Sequence, residues 1–148
     1  MIVKNESKII SRLIDSVLPI IDSWCIVDTG STDNTIEIVK SKLSHLPGEI
    51  VSSPWVNFGH NRSQVVELSR KWGDWSLTLD ADMILVDNGF NKSELDSAVA
   101  GYYLFQKSPS ISYSNMRFLN TKFTWKSIGV THEYYSVAEP VSYTHLRA

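Results

Sequence analysis

The sequence predicts an α/β fold, a mainly parallel sheet flanked by helices. Three observations carry this. Short apolar runs suited to buried strands alternate with stretches whose apolar residues recur at helical spacing. Polar clusters, Lys4-Asn5-Glu6, Asp28 and Asp80-Ala81-Asp82, stand directly behind three of those runs. The length of 148 residues, 43% hydrophobic and 20% charged, suits one globular domain. A chain of this size buries roughly 70% of its unfolded surface.

Ile2 and Val3 read as the end of a strand, stopped by Lys4-Asn5-Glu6. Ile9, Ile10, Leu13, Ile14, Val17 and Leu18 then form one helical face, and Pro19 tends to end it. Trp24–Val27 is a short buried strand. Gly30-Ser31-Thr32-Asp33-Asn34 is a loop rich in N-cap residues, and Ile36, Val39 and Leu43 mark a second helix. Pro47-Gly48 predicts a turn and Glu49–Ser52 a strand. Phe58 to Trp72 is a third helical stretch, with Val65, Leu68 and Trp72 on one face. Trp75–Leu79 is a further buried strand running into Asp80. In open parallel sheets ligands sit beyond the carboxyl ends of the strands, which is where the polar clusters fall. From Gly101 onward the composition shifts to Tyr, Phe, Ser and Asn. Tyr102–Phe105, Ile111–Tyr113, Met116–Leu119 and Val130–Tyr134 predict strands of an antiparallel or mixed part.

Fourteen basic and sixteen acidic residues give a net charge of -2, which argues against a general nucleic-acid binder. The single cysteine, Cys25, allows no intrachain disulfide and sits in an apolar run, as a small core residue does. No stretch approaches the ~20 apolar residues of a membrane helix. The N-terminus lacks the apolar run of a signal peptide. A cytoplasmic setting is the expectation.

Four constellations carry candidate chemistry. In Asp80-Ala81-Asp82 the two carboxylates point to one side of an extended chain. Their mutual repulsion is relieved by a divalent cation such as Mg²⁺ or Mn²⁺, which favours one or two carboxylates with phosphates and waters. About 0.5 such triplets arise by chance in a chain of this composition, so position carries the signal, and a solvated turn is the alternative. Asp28-Thr29-Gly30-Ser31 fits a strand-end carboxylate accepting from a nucleobase N–H, a helix-capping loop, or an aspartic-protease motif. The flanking helices disfavour the last. In Phe58-Gly59-His60-Asn61-Arg62, Arg62 opens a helix and is either a cleft arginine or a surface one. His132-Glu133 has no second histidine four positions on, so it is not a zinc-protease helix. It is either a structural pair or a metal ligand beside a carboxylate base.

Taken in order, Ile2-Val3-Lys4-Asn5-Glu6, Ile26–Thr35, Phe58–Arg62, Leu77–Asp82 and Gly129–Glu133 resemble glycosyltransferase family 2, closest to its lipopolysaccharide-core glucosyltransferase-like branch. The resemblance covers most of residues 1–135. It implies a Rossmann-like GT-A fold and a sugar transfer, mostly inverting, from a nucleotide-sugar donor to an acceptor hydroxyl on a glycan, lipid-linked sugar or protein. It implies that Asp28 binds the base, often uracil, and that Arg62 contacts the base or diphosphate. Lys4, Asn5 and Glu6 then line the nucleotide cleft. Asp80 and Asp82 match the family's Asp-x-Asp motif, with Asp82 holding Mn²⁺ or Mg²⁺ most directly and Asp80 facing ribose or a metal water. Glu133 becomes the candidate catalytic base and His132 a candidate catalytic or metal contact. Trp125 is either a sugar platform or a core residue.

Two departures follow from the same comparison. The family pattern has more strand before the first motif and continues well past the last. The chain is therefore expected to hold a partial catalytic domain over 1–140, truncated at both ends, followed by a foreign tail over 141–148. A non-catalytic nucleotide-sugar-binding fragment is one alternative. A sugar-phosphate nucleotidyltransferase is another, but it calls for a Gly-rich loop that Lys4-Asn5-Glu6 does not supply.

Overall fold

A computed structural model describes residues 1–129, 133–137 and 139–145. The first half alternates as expected: β1 (Ile2–Val3), α1 (Ile10–Val17), β2 (Trp24–Asp28), α2 (Thr35–Leu43), β3 (Gly48–Ser52), α3 (Phe58–Ser69) and β4 (Trp75–Leu77). The second half holds a 3₁₀ turn at Lys92–Glu94 and then β5 (Gly101–Lys107), β6 (Ser112–Asn120), β7 (Trp125–Ile128), β8 (Tyr134–Val137) and β9 (Tyr143–His145).

β1, β2 and β3 form a parallel sheet with β2 in the centre, in register Ile2 to Val27 and Val27 to Val51. Ile26 on β2 packs with Ile10, Ile14, Val39 and Leu43 of α1 and α2. Val27 points to the opposite face by strand alternation, and α3 packs against β2 there. Helices thus cover both faces, so β2 reads as a continuous apolar run rather than an alternating one.

The sheet is less uniformly parallel than the sequence predicts. β4 joins a separate four-stranded sheet, order β4-β6-β5-β9, and runs antiparallel to β6, while β7 and β8 form a two-stranded antiparallel ribbon. The two predicted strands at 111–113 and 116–119 are one strand, β6, whose half from Met116 to Asn120 is buried because β4 and β5 flank it. Of the predicted strand Val130–Tyr134, only its last residue, in β8, and Glu133 lie among the described residues. α3 stops at Ser69, and its buried residues are Asn61, Val65 and Val66. Trp72 lies beyond the helix and donates from Nε1 to Glu49. Gly48 opens β3 instead of serving only as a turn: a Cβ there would lie 2.4 Å from the Trp24 carbonyl oxygen and ring. Within the segment expected to be foreign, Tyr143–His145 form β9, which pairs in parallel with β5, and the Tyr143 ring lies 6.2 Å from the Trp125 ring.

The edges of the two larger sheets face a cavity of about 420 Å³, lined by Met1, Cys25 and Ile26 on one side and by Trp75–Asp80 on the other. Val27 and Thr29 donate backbone bonds to Met1 and Val3. The Cys25 amide points the same way, past the end of β1. On β4, Ser76 and its even-numbered neighbours bond to β6, so the backbone groups of Trp75 and Leu77 turn toward the cavity. The Met1 ammonium donates to the Cys25 carbonyl at 3.0 Å, and burial pushes its pKa down. Such a slot fits an extended strand. Three valines placed ahead of Met1 are expected to raise the Tm by several degrees, whereas Gly-Ser-Gly there is not. Equal melting of the two extended chains would count against an open edge.

Candidate functional site

Three segments converge beyond the carboxyl ends of β1, β2 and β4. The first two are knitted together. Asn5 adopts a left-handed conformation (φ 55°), and its side-chain oxygen accepts from the Thr32 and Asp33 amides at 2.7 and 3.3 Å. Its own amide donates to Ser31 Oγ, and the Glu6 amide donates to Thr35 Oγ1 at 2.8 Å. Asp33 accepts from the Ser7 and Thr35 amides and from the Thr35 hydroxyl. Asparagine is among the few residues that tolerate this backbone conformation, and its side chain replaces the bonds the turn forgoes. Asn5, expected to line the nucleotide cleft, thus also ties one loop to the other.

Asp28 is buried at the end of β2, and its carboxylate accepts from the Gly30 and Ser31 amides at 3.1–3.2 Å. Those bonds fix the carboxylate without using all its lone pairs. Lys4 is exposed beside this loop. Burial pushes the pKa of Glu6 up, and the charges of Asp82 and Asp33 add to this, so Glu6 and Asp82 share one negative neighbourhood.

Hydrogen bonds from Ser7 and then Thr35 hold the Asp33 carboxyl well below its ordinary 3.8. A carboxylate with a lowered folded pKa contributes stability that is complete above the unfolded value and is lost as pH falls through the folded one. The wild-type chain is therefore expected to lose stability below about pH 4, and Asp33→Asn to flatten that part of the curve. Parallel Tm-versus-pH curves for the two proteins would contradict this.

The third segment is α3. Asn57 caps it by accepting from the His60 amide at 2.8 Å. Asn61 is fully buried, accepts from the Val56 amide and donates to the Pro54 carbonyl, which pins the loop entering the helix. A Cβ on Gly59 would lie 3.1 Å from the Ser127 carbonyl oxygen, so glycine lets α3 lie close against β7. The Ser63 hydroxyl also accepts from the Ser127 amide. This packing carries Arg62 into the site.

Arg62 is no ordinary surface arginine. Its side chain is 18% exposed, its Nη2 lies 2.8 Å from Asp80 Oδ1 and its Nη1 3.3 Å from Glu133 Oε2. The Phe58 ring lies beneath the guanidinium at 5.2 Å. Motifs far apart in sequence therefore share one cation. Arg117 on β6 supports Asp80 from behind. Its Nη1 is 3.6 Å from Asp80 Oδ2 and also donates to the Thr78 carbonyl, while Nη2 donates to Gln106. Sequence reasoning passed over Arg117. Its signal is a single charged residue inside the otherwise apolar run Met116–Leu119. Tyr135 on β8 lines the same cavity as Arg62, Asp80 and Arg117.

Asp82 is exposed and makes no ion pair among the described residues. Asp80 and Asp82, with Glu6 nearby, offer hard oxygen donors of the kind Mg²⁺ and Mn²⁺ take. Among the described residues no group of three His, Cys, Asp or Glu side chains is placed to hold an ion without help. This donor set fits a cation that arrives with substrate phosphates. His132, the other expected metal contact, lies outside the described residues. Trp125 is buried, with its Nε1 donating to the Asn120 carbonyl, which makes it a core residue and not a sugar platform. Cys25 is half-buried, and burial raises its thiol pKa, as befits an unreactive packing residue. No helix among the described residues is long and apolar enough to cross a membrane.

An uncharacterized glycosyltransferase of Rickettsia prowazekii is 37% identical over 82 residues, covering 55% of this chain and 26% of that protein. The SPbeta prophage-derived glycosyltransferase SunS of Bacillus subtilis is 27% identical over 150 residues, covering 98% of this chain and 35% of its own length. The chain thus spans about a quarter to a third of these relatives. Among solved structures, Staphylococcus aureus TarS 1-349 in complex with UDP superposes with a TM-score of 0.47 at 23% identity, over 55% of this chain and 25% of that one. Residues 1–125 match the sequence profile of glycosyl transferase family 2, and the chain belongs to that family.

Proposed function

We propose that this chain forms the donor-binding part of a metal-dependent, inverting glycosyltransferase that uses a UDP-sugar. One observation carries the reading: Arg62 joins Asp80, at the end of β4, to Glu133, 53 positions further on, and so builds one site from separate motifs. Asp28 and the loop after it take the base, and Lys4 lies at the edge of that pocket. Asp82 and Asp80 would hold Mn²⁺ or Mg²⁺, and the cation would supply compensation for charge growing on the leaving group.

Glu133 takes the proton of the acceptor hydroxyl as its oxygen bonds to the anomeric carbon. The bond from that carbon to the phosphate oxygen breaks, and its electron pair leaves with the nucleoside diphosphate. Arg62 lies within reach of both events. His132 completes the motif as a phosphate or metal contact.

The test is release of UDP from a panel of UDP-sugars, with and without Mn²⁺. Release that requires Mn²⁺ and disappears in Glu133→Gln supports transfer chemistry. Tight UDP binding with no turnover on any donor would instead favour a non-catalytic binding module.

A further inference from the structure

Arg62 satisfies two carboxylates at once, at 2.8 Å from Asp80 and 3.3 Å from Glu133. Arg117 adds a second positive charge 3.6 Å from the other Asp80 oxygen. Asp80 is therefore fully compensated by protein cations, while Asp82, two residues on, has no ion pair among the described residues. A divalent cation approaching this pair meets an attractive carboxylate at Asp82 and a guanidinium already seated on Asp80. The two arginines differ in what they can do. Arg117 is 8% exposed and is anchored by Thr78 and Gln106. Arg62 is held by its two carboxylates and the Phe58 ring, on the side chain of a helix that faces the site.

A guanidinium forms bidentate bonds to phosphate as readily as to carboxylate. A diphosphate brought to this site offers Arg62 several anionic oxygens in exchange for two carboxylates.

We propose that Arg62 couples diphosphate binding to cation binding: it pairs with Asp80 and Glu133, and a nucleoside diphosphate draws it onto phosphate oxygens, which frees Asp80 for the cation and Glu133 for the acceptor hydroxyl. This rests on the metal-dependent donor site proposed above. The cation alone then binds weakly, because it must compete with a seated guanidinium. Cation and nucleotide raise each other's affinity by one common factor, as linkage requires. Glu133 loses its arginine partner only when a donor is in place, so the base is released only in a loaded site.

The experiment titrates Mn²⁺ into the full chain with and without UDP. Free Mn²⁺ is followed by its electron paramagnetic resonance signal, and UDP affinity by tryptophan fluorescence. Wild type, Arg62→Met and Arg62→Lys are compared, each checked for native circular dichroism. In wild type, UDP is expected to tighten Mn²⁺ binding by about 30-fold or more, within the usual range of coupling between sites. In Arg62→Met, Mn²⁺ alone binds several-fold tighter than in wild type, UDP binds more weakly, and the coupling factor falls by about tenfold. Lysine keeps the charge but cannot span two carboxylates, so Arg62→Lys also loses part of the coupling, and it carries the test if the methionine variant does not fold. Equal Mn²⁺ affinity in all three proteins, or an unchanged coupling factor, overturns the role of Arg62 while leaving a metal-dependent donor site intact. Failure of wild type to bind either Mn²⁺ or UDP overturns that site and the coupling together.

Discussion

Asp82→Asn is expected to lower turnover of a UDP-sugar by about 10³-fold, the scale of several kcal/mol of leaving-group charge compensation. Stability should hardly change. Asp82 is exposed and its side chain pairs with nothing among the described residues, so none of their bonds is lost. The substitution even relieves repulsion with Glu6, whose pKa the Asp82 charge helps to raise. A variant that melts with wild type and no longer transfers sugar separates the chemical role of this carboxylate from any structural one. The same substitution with turnover within a few-fold of wild type would remove Asp82 from the site.

Arg117→Ala is expected to differ in stability, with a large loss of stability together with loss of activity. Arg117 is buried on β6, and its guanidinium bridges the Thr78 carbonyl, Gln106 and Asp80. The Thr78 amide and hydroxyl both donate to the Arg117 carbonyl, so the backbone under Asp80 is tied to this residue from both sides. Truncation opens a void and leaves buried acceptors without a donor. Because Asp80 keeps Arg62 and is about a third exposed, the cost falls below that of a fully buried pair, at about 2–4 kcal/mol. For a domain of this size that corresponds to a Tm lower by roughly 5–12 °C. Arg117→Lys retains the charge but not the three-way bridge, and should fall between. Thermal melting followed by circular dichroism checks both, and an alanine variant melting within a degree of wild type would contradict the bridge.

Much of this was legible in the chain. Helical spacing placed α1 and α2, because Ile10 and Ile14 of one and Val39 and Leu43 of the other face one packed cluster. A short apolar run placed β2, because helices cover both faces of that strand. The antiparallel partnership of β4 with β6 was not legible, since period and composition locate strands without naming their neighbours. Within the site, the acidic residues were visible as strand-end clusters. The joining of Arg62 to both Asp80 and Glu133 was not, because it depends on how closely α3 approaches β7, which Gly59 and Ser63 set through contacts with Ser127. Asn5 was expected to line the nucleotide cleft, and Asn61 carried no assignment. Both spend their side chains on backbone groups of loops next to the site. A single sequence cannot distinguish a polar side chain that binds a ligand from one that replaces a missing backbone bond.

The central claim is that Asp80 and Asp82 hold a divalent cation against the diphosphate of a donor whose base lies at Asp28. Crystals grown with UDP and Mn²⁺ test it most directly through the anomalous signal of the metal. The expected result is a peak within coordination distance of the Asp82 carboxylate and of phosphate oxygens, with the uracil at Asp28 and Arg62 turned toward the diphosphate. UDP bound with no metal at this pair, or a metal bound elsewhere in the chain, would contradict it.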